Sequence, residues 1–271
     1  MTLAVSLTRR LLGSTTVDHG PVALMYHSVN PGKNKPRWPW AVSMQQFRDQ
    51  LDYLAAGGYA TPTINELFAV PKRWATRTAI ITFDDGYVDN LEACEELQKR
   101  GMRATWFVVT GSIGREPGWA DEGRPGGRLL DGIELRTMQE AGMEIGSHTV
   151  SHQRLPNLDG LRLQSELADS KLALEDVLGR EVTSFAYPYG DWNEHCETAV
   201  RAAGYHAACT TQTGWAMRDD NPFRLRRLTI YNEDAGSLFV RKLAFARHDV
   251  RWPELADYWG SRMRAKLTGR P

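Results

Sequence analysis

The sequence lacks an excess of charge of either sign. Its 33 lysine and arginine residues balance 33 aspartate and glutamate residues, so the formal net charge at pH 7 is zero. Nucleic-acid-binding proteins usually carry a basic excess, and acidic disordered chains carry the opposite. We therefore expect no nucleic-acid partner. The hydrophobic fraction of 42% indicates an ordinary folded protein.

Cysteines and long apolar runs are also scarce. The three cysteines, at positions 94, 196 and 209, are too few and too scattered for a disulfide framework or a cysteine-rich zinc site. No apolar run approaches the roughly 18 residues that a membrane-spanning helix needs. Arg9 and Arg10 interrupt the apolar residues of the first segment, so no signal-peptide core is recognisable there. We therefore predict no transmembrane segment and a cytoplasmic location.

The sequence does contain an alternation of amphipathic helices and short apolar strands. Seven apolar runs are predicted as strands: 22–26, 78–83, 104–109, 143–147, 184–187, 207–210 and 225–230. Runs that are apolar at successive positions suit strands that are buried on both faces of a parallel sheet. The alternation predicts a single α/β domain, and periodicity alone leaves a barrel and an open, doubly wound sheet as alternatives. Two long loops, 30–42 and 111–132, follow predicted strands and are expected at the carboxyl ends, where α/β proteins place their sites.

Two adjacent aspartates, Asp84 and Asp85, directly follow the second predicted strand and precede Gly86. Two neighbouring carboxylates are costly at a strand end unless something stabilises their negative charge. A divalent cation would do so, and because successive side chains diverge, one carboxylate can ligate while the other stays free. The alternative is a solvated turn, since Asp-Asp-Gly is a common turn sequence.

Two histidines, His148 and His152, follow the fourth predicted strand. Histidines at this spacing share one face of a helical turn and can reach one metal ion, although a chance pair is the alternative. One aspartate and two histidines form an open ligand set that is typical of hydrolytic metal sites. The segment FAYPYG at 185–190 ends another strand where a substrate groove would form, or is an ordinary turn before the next helix.

Together, TFDDG at 82–86, HTVSH at 148–152 and FAYPYG at 185–190 resemble the motifs of the polysaccharide deacetylases with a NodB-homology domain, carbohydrate esterase family 4. The resemblance covers about residues 20–235 and is closest to the branch of poly-N-acetylglucosamine and surface-polysaccharide deacetylases. It implies a distorted, incomplete (β/α) barrel of about seven strands in a single domain. On this basis we assign 20–246 to the catalytic domain, 1–19 to an N-terminal extension and 247–271 to a C-terminal helical tail.

The resemblance also implies roles for single residues, carried over by motif position. Asp85, His148 and His152 would ligate a divalent metal, with zinc expected, and Asp84 would be the general base. A metal lowers the pKa of water from about 15.7 towards about 7, and a free carboxylate can accept the proton. The backbone N–H of Tyr189 is implied as a donor to the oxyanion of the reaction.

Three further residues are expected to border the substrate: Tyr187, Pro188 and Trp192. Trp192 would stack on a sugar face or, alternatively, pack against the helix that follows it. Trp38, Trp40 and Trp119 on the long loops have the same two interpretations.

Two features of the family are missing. Many members carry an arginine at the position of Ala186, where it holds the base aspartate, and a Leu-x-His motif whose histidine protonates the leaving amine. Arg227 is the candidate replacement for the arginine, with a surface arginine as the alternative. His27, at the end of the first strand, is the candidate acid, because imidazole titrates near neutral pH. Its alternative is a histidine hydrogen-bonded beneath the site. The other histidines, His248 among them, are assigned to the surface or the core.

The sequence thus predicts a metal-dependent hydrolase that removes the N-acetyl group of an amino sugar and releases acetate and a free amine. Its partner would be an N-acetylated glycan or glycan precursor. One alternative is an amidohydrolase or deformylase that acts on a non-polymeric amide with the same metal site. Another is a catalytically impaired carbohydrate-binding homologue.

Overall fold

The computed structural model describes residues 20–31, 34–69 and 77–250. The strands are β1 Val22–Tyr26, β2 Ser28–Asn30, β3 Ala41–Ser43, β4 Ala79–Phe83, β5 Thr105–Val108, β6 Glu144–Ser147, β7 Ser184–Ala186, β8 Ala207–Cys209 and β9 Leu228–Thr229. The helices are α1 Met44–Ala56, α2 Ile64–Ala69, α3 Asn90–Gln98, α4 Gly132–Glu140, α5 Gly160–Leu178, α6 Glu194–Ala202 and α7 Ser237–Phe245.

Seven strands form one parallel sheet in the order β8-β7-β6-β5-β4-β1-β9. Each of the seven predicted apolar runs contributes one of these strands. The sheet curls into a half-barrel with helices around it, which confirms the predicted α/β fold of a distorted, incomplete barrel. The remaining strands, β2 and β3, form a small parallel pair.

The last predicted strand, 225–230, is divided between the two edges of the sheet. The N–H of Leu225 donates to the carbonyl of Ala208 at 3.0 Å, and the N–H of Thr210 donates to the carbonyl of Leu225 at 2.8 Å. Three residues later the chain pairs with β1 as β9. Residues 226 and 227 therefore cross the gap between β8 and β1.

Alternate residues of each strand face either the interior of the barrel or the helices. Residues on the outer face, such as Leu24 and Ile81, pack in the large cluster that includes the apolar stripes of the helices. The interior is filled by a smaller cluster that includes Ala23, Ile80 and Phe107. Because both faces are covered, the strands are apolar at successive positions, as the sequence indicated.

Helix α2 closes the amino end of the barrel. Ile64 and Leu67 pack into the interior cluster, and the N–H of Ile64 donates to Thr105 Oγ1 at 3.1 Å. The N–H of Asn65 donates to Glu144 Oε2 at 2.9 Å. With this end covered, the interior opens towards the carboxyl ends of the strands, where the two long loops lie.

The predicted terminal segments fall mainly outside the described residues, so the division into extension, catalytic domain and tail stays a prediction. Of the predicted helical tail, residues 247–250 are described, and they are not helical. Among the helices of the described residues, none has the length and hydropathy needed to cross a membrane.

We predict that Gly146→Ala destabilises the protein. A Cβ atom at this position would lie 2.5 Å from Ser184 Oγ and 2.7 Å from a ring carbon of the buried Phe107. Overpacking of this kind costs about 1–3 kcal/mol of unfolding free energy, which urea denaturation measures. Gly160→Ala, at the start of α5, is the control, because a Cβ atom there meets nothing within 4 Å. Equal stabilities of the two variants would contradict the packing described for the interior.

Candidate active site

Three side chains continue the inward face of their strands beyond the carboxyl ends. Each lies two residues after an inward-facing residue of its strand. These pairs are Met25 and His27 at β1, Thr82 and Asp84 at β4, and Gly146 and His148 at β6. Because side chains alternate along a strand, positions two apart point the same way. The strand register thus brings His27, Asp84 and His148 to the rim of the same cavity.

Asp85, His148 and His152 form a compact cluster. The Oδ1 atom of Asp85 lies 3.6 Å from Nε2 of His148 and 3.4 Å from Nε2 of His152. One possible ligand atom from each of the three residues lies within 4.8 Å of the others, and all three residues are buried. The structure therefore brings together the three residues that the sequence predicted as metal ligands.

The chemistry of these donor atoms fits a divalent cation. Nδ1 of His148 lies 2.7 Å from the carbonyl oxygen of Ala186, which can only accept, so the proton is on Nδ1 and Nε2 is free to ligate. Oδ1 of Asp85 is buried and has no hydrogen-bond partner among the described residues. Burial, followed by the neighbouring charge of Asp84, raises the pKa of Asp85. A cation at this point would neutralise the charge of the carboxylate and would be bound by two imidazole nitrogens.

The segment that carries both histidines is a loop, so the predicted helical turn is wrong. Thr149 and His152 have φ values of 71° and 57°, which no right-handed turn allows. Oε2 of Glu166, on α5, accepts hydrogen bonds from the N–H groups of Val150 and Ser151, both at 2.9 Å. These contacts fold the loop back, and this reversal, rather than helical periodicity, brings the two imidazoles to one aspartate.

Asp84 is paired with Arg227 inside the barrel. The guanidinium donates from Nη1 to Oδ1 at 2.6 Å and from Nη2 to Oδ2 at 2.8 Å, and it also donates to Thr82 Oγ1 and to the carbonyl of Thr210. Burial alone would raise the pKa of Asp84, but the charge and hydrogen bonds of Arg227 lower it to about 2. Ala186 faces the same interior cluster and adds little bulk there. The structure therefore places Arg227 beside Asp84, as predicted, and buries it completely.

His27 lines the same cavity as Asp84. Its Nδ1 atom is buried without a hydrogen-bond partner among the described residues, and its ring meets Trp38 edge-on at a centroid distance of 6.0 Å. Burial lowers the pKa of His27 to about 4, although the charge of Asp84 opposes this shift. The imidazole is therefore neutral near pH 7.

Aromatic side chains form much of the wall of this cavity, whose volume is about 610 Å³. The ring centroids of Trp119 and Tyr189 lie 4.6 and 4.5 Å from that of His152. Nε1 of Trp38 donates to Oδ1 of Asp121 at 3.2 Å, which ties the two long loops together. The wall also contains Trp40 and Tyr231. The long loops therefore border the site, as the sequence indicated.

Three predicted substrate-binding residues lie away from this cavity. Tyr187 is fully buried on the outer face, where its ring packs against Phe185. Pro188 is also buried and begins a short 3₁₀ turn. The guanidinium of Arg224 lies over the Trp192 ring, 4.4 Å from its centroid. None of the three is among the described residues that line the cavity, and Trp192 packs against the large core cluster, so its contact with a sugar stays a prediction.

Tyr231 and His248 are among the residues of the cavity wall that sequence reasoning missed. Tyr231 could have been found, because it continues the alternation of Arg227 and Thr229 on the inward face. His248 was assigned to the surface or the core, and no pattern of spacing connects it with the site.

Comparisons with known proteins agree with this geometry. Residues 72–208 match the polysaccharide deacetylase family over half of the chain. The chain belongs to this family. YxkH of Bacillus subtilis, which bears a provisional polysaccharide deacetylase name, is 34% identical over 220 residues, or 80% of this chain and 73% of YxkH.

Solved structures of other deacetylases share the polysaccharide deacetylase fold. The deacetylase PplD of Streptococcus pyogenes, solved with acetate, has a TM-score of 0.71 at 23% identity and covers 82% of this chain and 97% of its own. IcaB of Ammonifex degensii has a TM-score of 0.67 at 24% identity and covers 83% of this chain and 97% of its own. At these identities the similarity establishes the fold.

We predict that Arg227→Met lowers the free energy of unfolding by about 3–5 kcal/mol, because it leaves the charge of Asp84 buried without a partner. Adding Asp84→Asn should recover part of this loss, since it removes the unpaired charge. Urea denaturation of the single and double variants measures both effects.

Arg226→Met is the matched control for this experiment. Arg226 makes a bidentate pair with Asp219 at 2.6 and 2.9 Å, but both side chains are partly exposed. Its loss should cost about 1 kcal/mol or less. The description of Arg227 fails if the two arginine variants lose equal stability, or if the double variant is no more stable than Arg227→Met.

Proposed function

We propose that this polysaccharide deacetylase is a metal-dependent enzyme that hydrolyses the N-acetyl group of an amino sugar and releases acetate and a free amine. The observation that carries the proposal is the pair Asp84 and Asp85. One carboxylate is part of a three-residue ligand cluster, and the other is held by an arginine. A hydrolytic site needs both kinds of group, one to hold a cation and one to move a proton.

Asp85, His148 and His152 would hold the cation. Two imidazole nitrogens and one carboxylate oxygen are a donor set that suits zinc and leaves a coordination position open. When bound, such a cation supplies Lewis-acid chemistry, because it makes water a stronger acid and polarises a carbonyl group.

Asp84 would act as the general base. Its pKa of about 2 keeps it ionised near neutral pH, so its carboxylate can accept the proton of the attacking water. The two hydrogen bonds from Arg227 fix the carboxylate plane and leave it little rotational freedom. The Oδ2 atom lies 4.0 Å from Nε2 of His148, which keeps the base next to the ligand cluster.

Two further groups would serve the later part of the reaction. His27 lines the same cavity and is the candidate donor of a proton to the leaving amine. Because its imidazole is neutral near pH 7, His27 must accept a proton before it can donate one. Tyr189 lies over His152, and its backbone N–H is the candidate donor to the oxyanion.

The shape and charge of the surroundings favour a glycan over a small amide. A second groove of about 870 Å³ shares Tyr231 and His248 with the cavity of the site. Some of its charges are paired with one another, as Lys35 with Glu233 and Lys242 with Asp234. An uncharged chain of N-acetylated sugars suits aromatic walls and a groove with paired charges. A non-polymeric amide would leave most of this space unused, and a binding protein would need no carboxylate at Asp84 outside the ligand cluster.

We predict that the enzyme releases acetate from N-acetylglucosamine oligomers in preference to small formamides or acetamides. Asp84→Asn should lower this release by about 10²–10⁴-fold, because an amide cannot accept the proton. Acetate is measured by a coupled assay, together with the zinc content of each variant. Asp176→Asn, at an exposed position of α5, controls for loss of a carboxylate and should be fully active. Preference for the small amides, or substantial turnover by Asp84→Asn, would refute the proposal.

We also predict that zinc binds in a ratio of about one ion per chain and that His148→Ala with His152→Ala abolishes this binding. Removing two of three ligands leaves a single carboxylate, which holds a cation weakly. Elemental analysis after dialysis measures the zinc content, and circular dichroism checks that the variant is folded. The exposed His195→Ala is the control. Unchanged zinc in the double variant would place the metal elsewhere.

A further inference from the structure

The outer edge of β9 is covered by side chains instead of another strand. β9 has two residues and pairs with β1 on one side. On its other side, Nζ of Lys242 donates to the carbonyl of Thr229 at 2.8 Å. The N–H of Thr229 donates to Nε2 of His248 at 3.0 Å, and the same nitrogen lies 3.2 Å from the carbonyl oxygen of Arg227.

The hydrogen bond from Thr229 fixes the state of the imidazole. A backbone N–H can only donate, so Nε2 of His248 must be an unprotonated acceptor, and the ring proton is on Nδ1. Burial lowers the pKa of His248, which agrees with a neutral ring. His248 thus accepts from the backbone at the point where a neighbouring strand would provide a carbonyl.

His248 is itself held in place by the chain around it. Ala246, with a φ of 48°, ends α7 and turns the chain back towards the sheet. The backbone N–H of His248 donates to Oγ1 of Thr213 at 3.1 Å, and this hydroxyl donates to the carbonyl of Ala246 at 3.3 Å. The imidazole therefore has a fixed position against residues 227–229.

We infer that His248 is a positioning residue for Arg227 and, through Arg227, for the proposed base Asp84. The inference rests on the proposed function, since it assigns an effect on the reaction. His248 accepts from the N–H of Thr229, two residues after Arg227, and the guanidinium of Arg227 ends on the carboxylate of Asp84. Without the imidazole, the Thr229 N–H is left without its acceptor, and Lys242 is the remaining described contact on the outer side of the two-residue strand that follows Arg227.

The test compares His248→Ala with His248→Gln, because the carbonyl oxygen of glutamine reaches about as far as Nε2 and can accept from Thr229. With N-acetylglucosamine oligomers as substrate, we expect His248→Ala to lower kcat about tenfold, with KM changed less than about twofold. His248→Gln should recover most of kcat. In an Arg227→Lys background, His248→Ala should add little further loss, because the two residues act in one chain of contacts. The exposed His195→Ala is the matched control and should retain wild-type kcat.

Hydrogen exchange of the segment 225–231 gives a second measurement that needs no activity. We expect faster exchange of the Thr229 amide in His248→Ala and near wild-type exchange in His248→Gln. If wild-type protein releases no acetate from any sugar, the proposed function fails, while exchange still decides whether His248 holds this strand. Unchanged exchange, a rise in KM at constant kcat, or kcat losses that multiply in the double variant would each overturn the inference.

Discussion

The buried ion pair of Asp84 and Arg227 is the interaction on which the site depends. An isolated carboxylate in the barrel would take up a proton, and an isolated guanidinium could not lose one, so each needs the other. Arg227 comes from the segment that links β8 to β1, so the segment that joins the two edges of the sheet also supplies the partner of Asp84. The small interior side chains, among them Ala23 and Ala186, leave room for a guanidinium at the centre of the fold.

The same alternation that builds the core gives two adjacent carboxylates different surroundings. Asp84 continues the inward face of β4 and meets Arg227, so the pKa of its carboxyl group is lowered to about 2. Asp85 has a φ of 74°, which turns the chain away from the strand, and burial raises the pKa of its carboxyl group. Aspartate tolerates this backbone conformation better than most residues. In the proposed reaction, Asp84 would accept a proton and Asp85 would hold a cation.

Much of this could be predicted from the sequence because the decisive residues lie in short contiguous motifs at strand ends. The apolar runs placed the seven strands, and the parallel arrangement then required their carboxyl ends to meet. The errors came from contacts that spacing does not encode. The loop of His148 and His152 is shaped by Glu166 on helix α5, which accepts hydrogen bonds from the N–H groups of Val150 and Ser151. His248 accepts a hydrogen bond from a backbone N–H of β9, and no side-chain motif records such a contact.

The backbone of the histidine loop indicates that the protein prepares its ligand cluster. Thr149 is β-branched and has a φ of 71°, a conformation that costs of order 1–3 kcal/mol and persists only where the surroundings enforce it. Three sets of hydrogen bonds enforce it. Glu166 accepts hydrogen bonds from two backbone N–H groups of the loop, and Thr149 Oγ1 accepts from the N–H of His152 at 3.0 Å. The N–H of Gly111 donates to the carbonyl of Val150 at 2.9 Å. Gly111 allows this approach, because a Cβ atom there would lie 2.5 Å from that carbonyl oxygen. All of these contacts are made by protein atoms, and together they fix the loop that carries both imidazoles. A cation bound by the proposed cluster would therefore require little further ordering of this loop, and the three proposed ligands line the aromatic cavity.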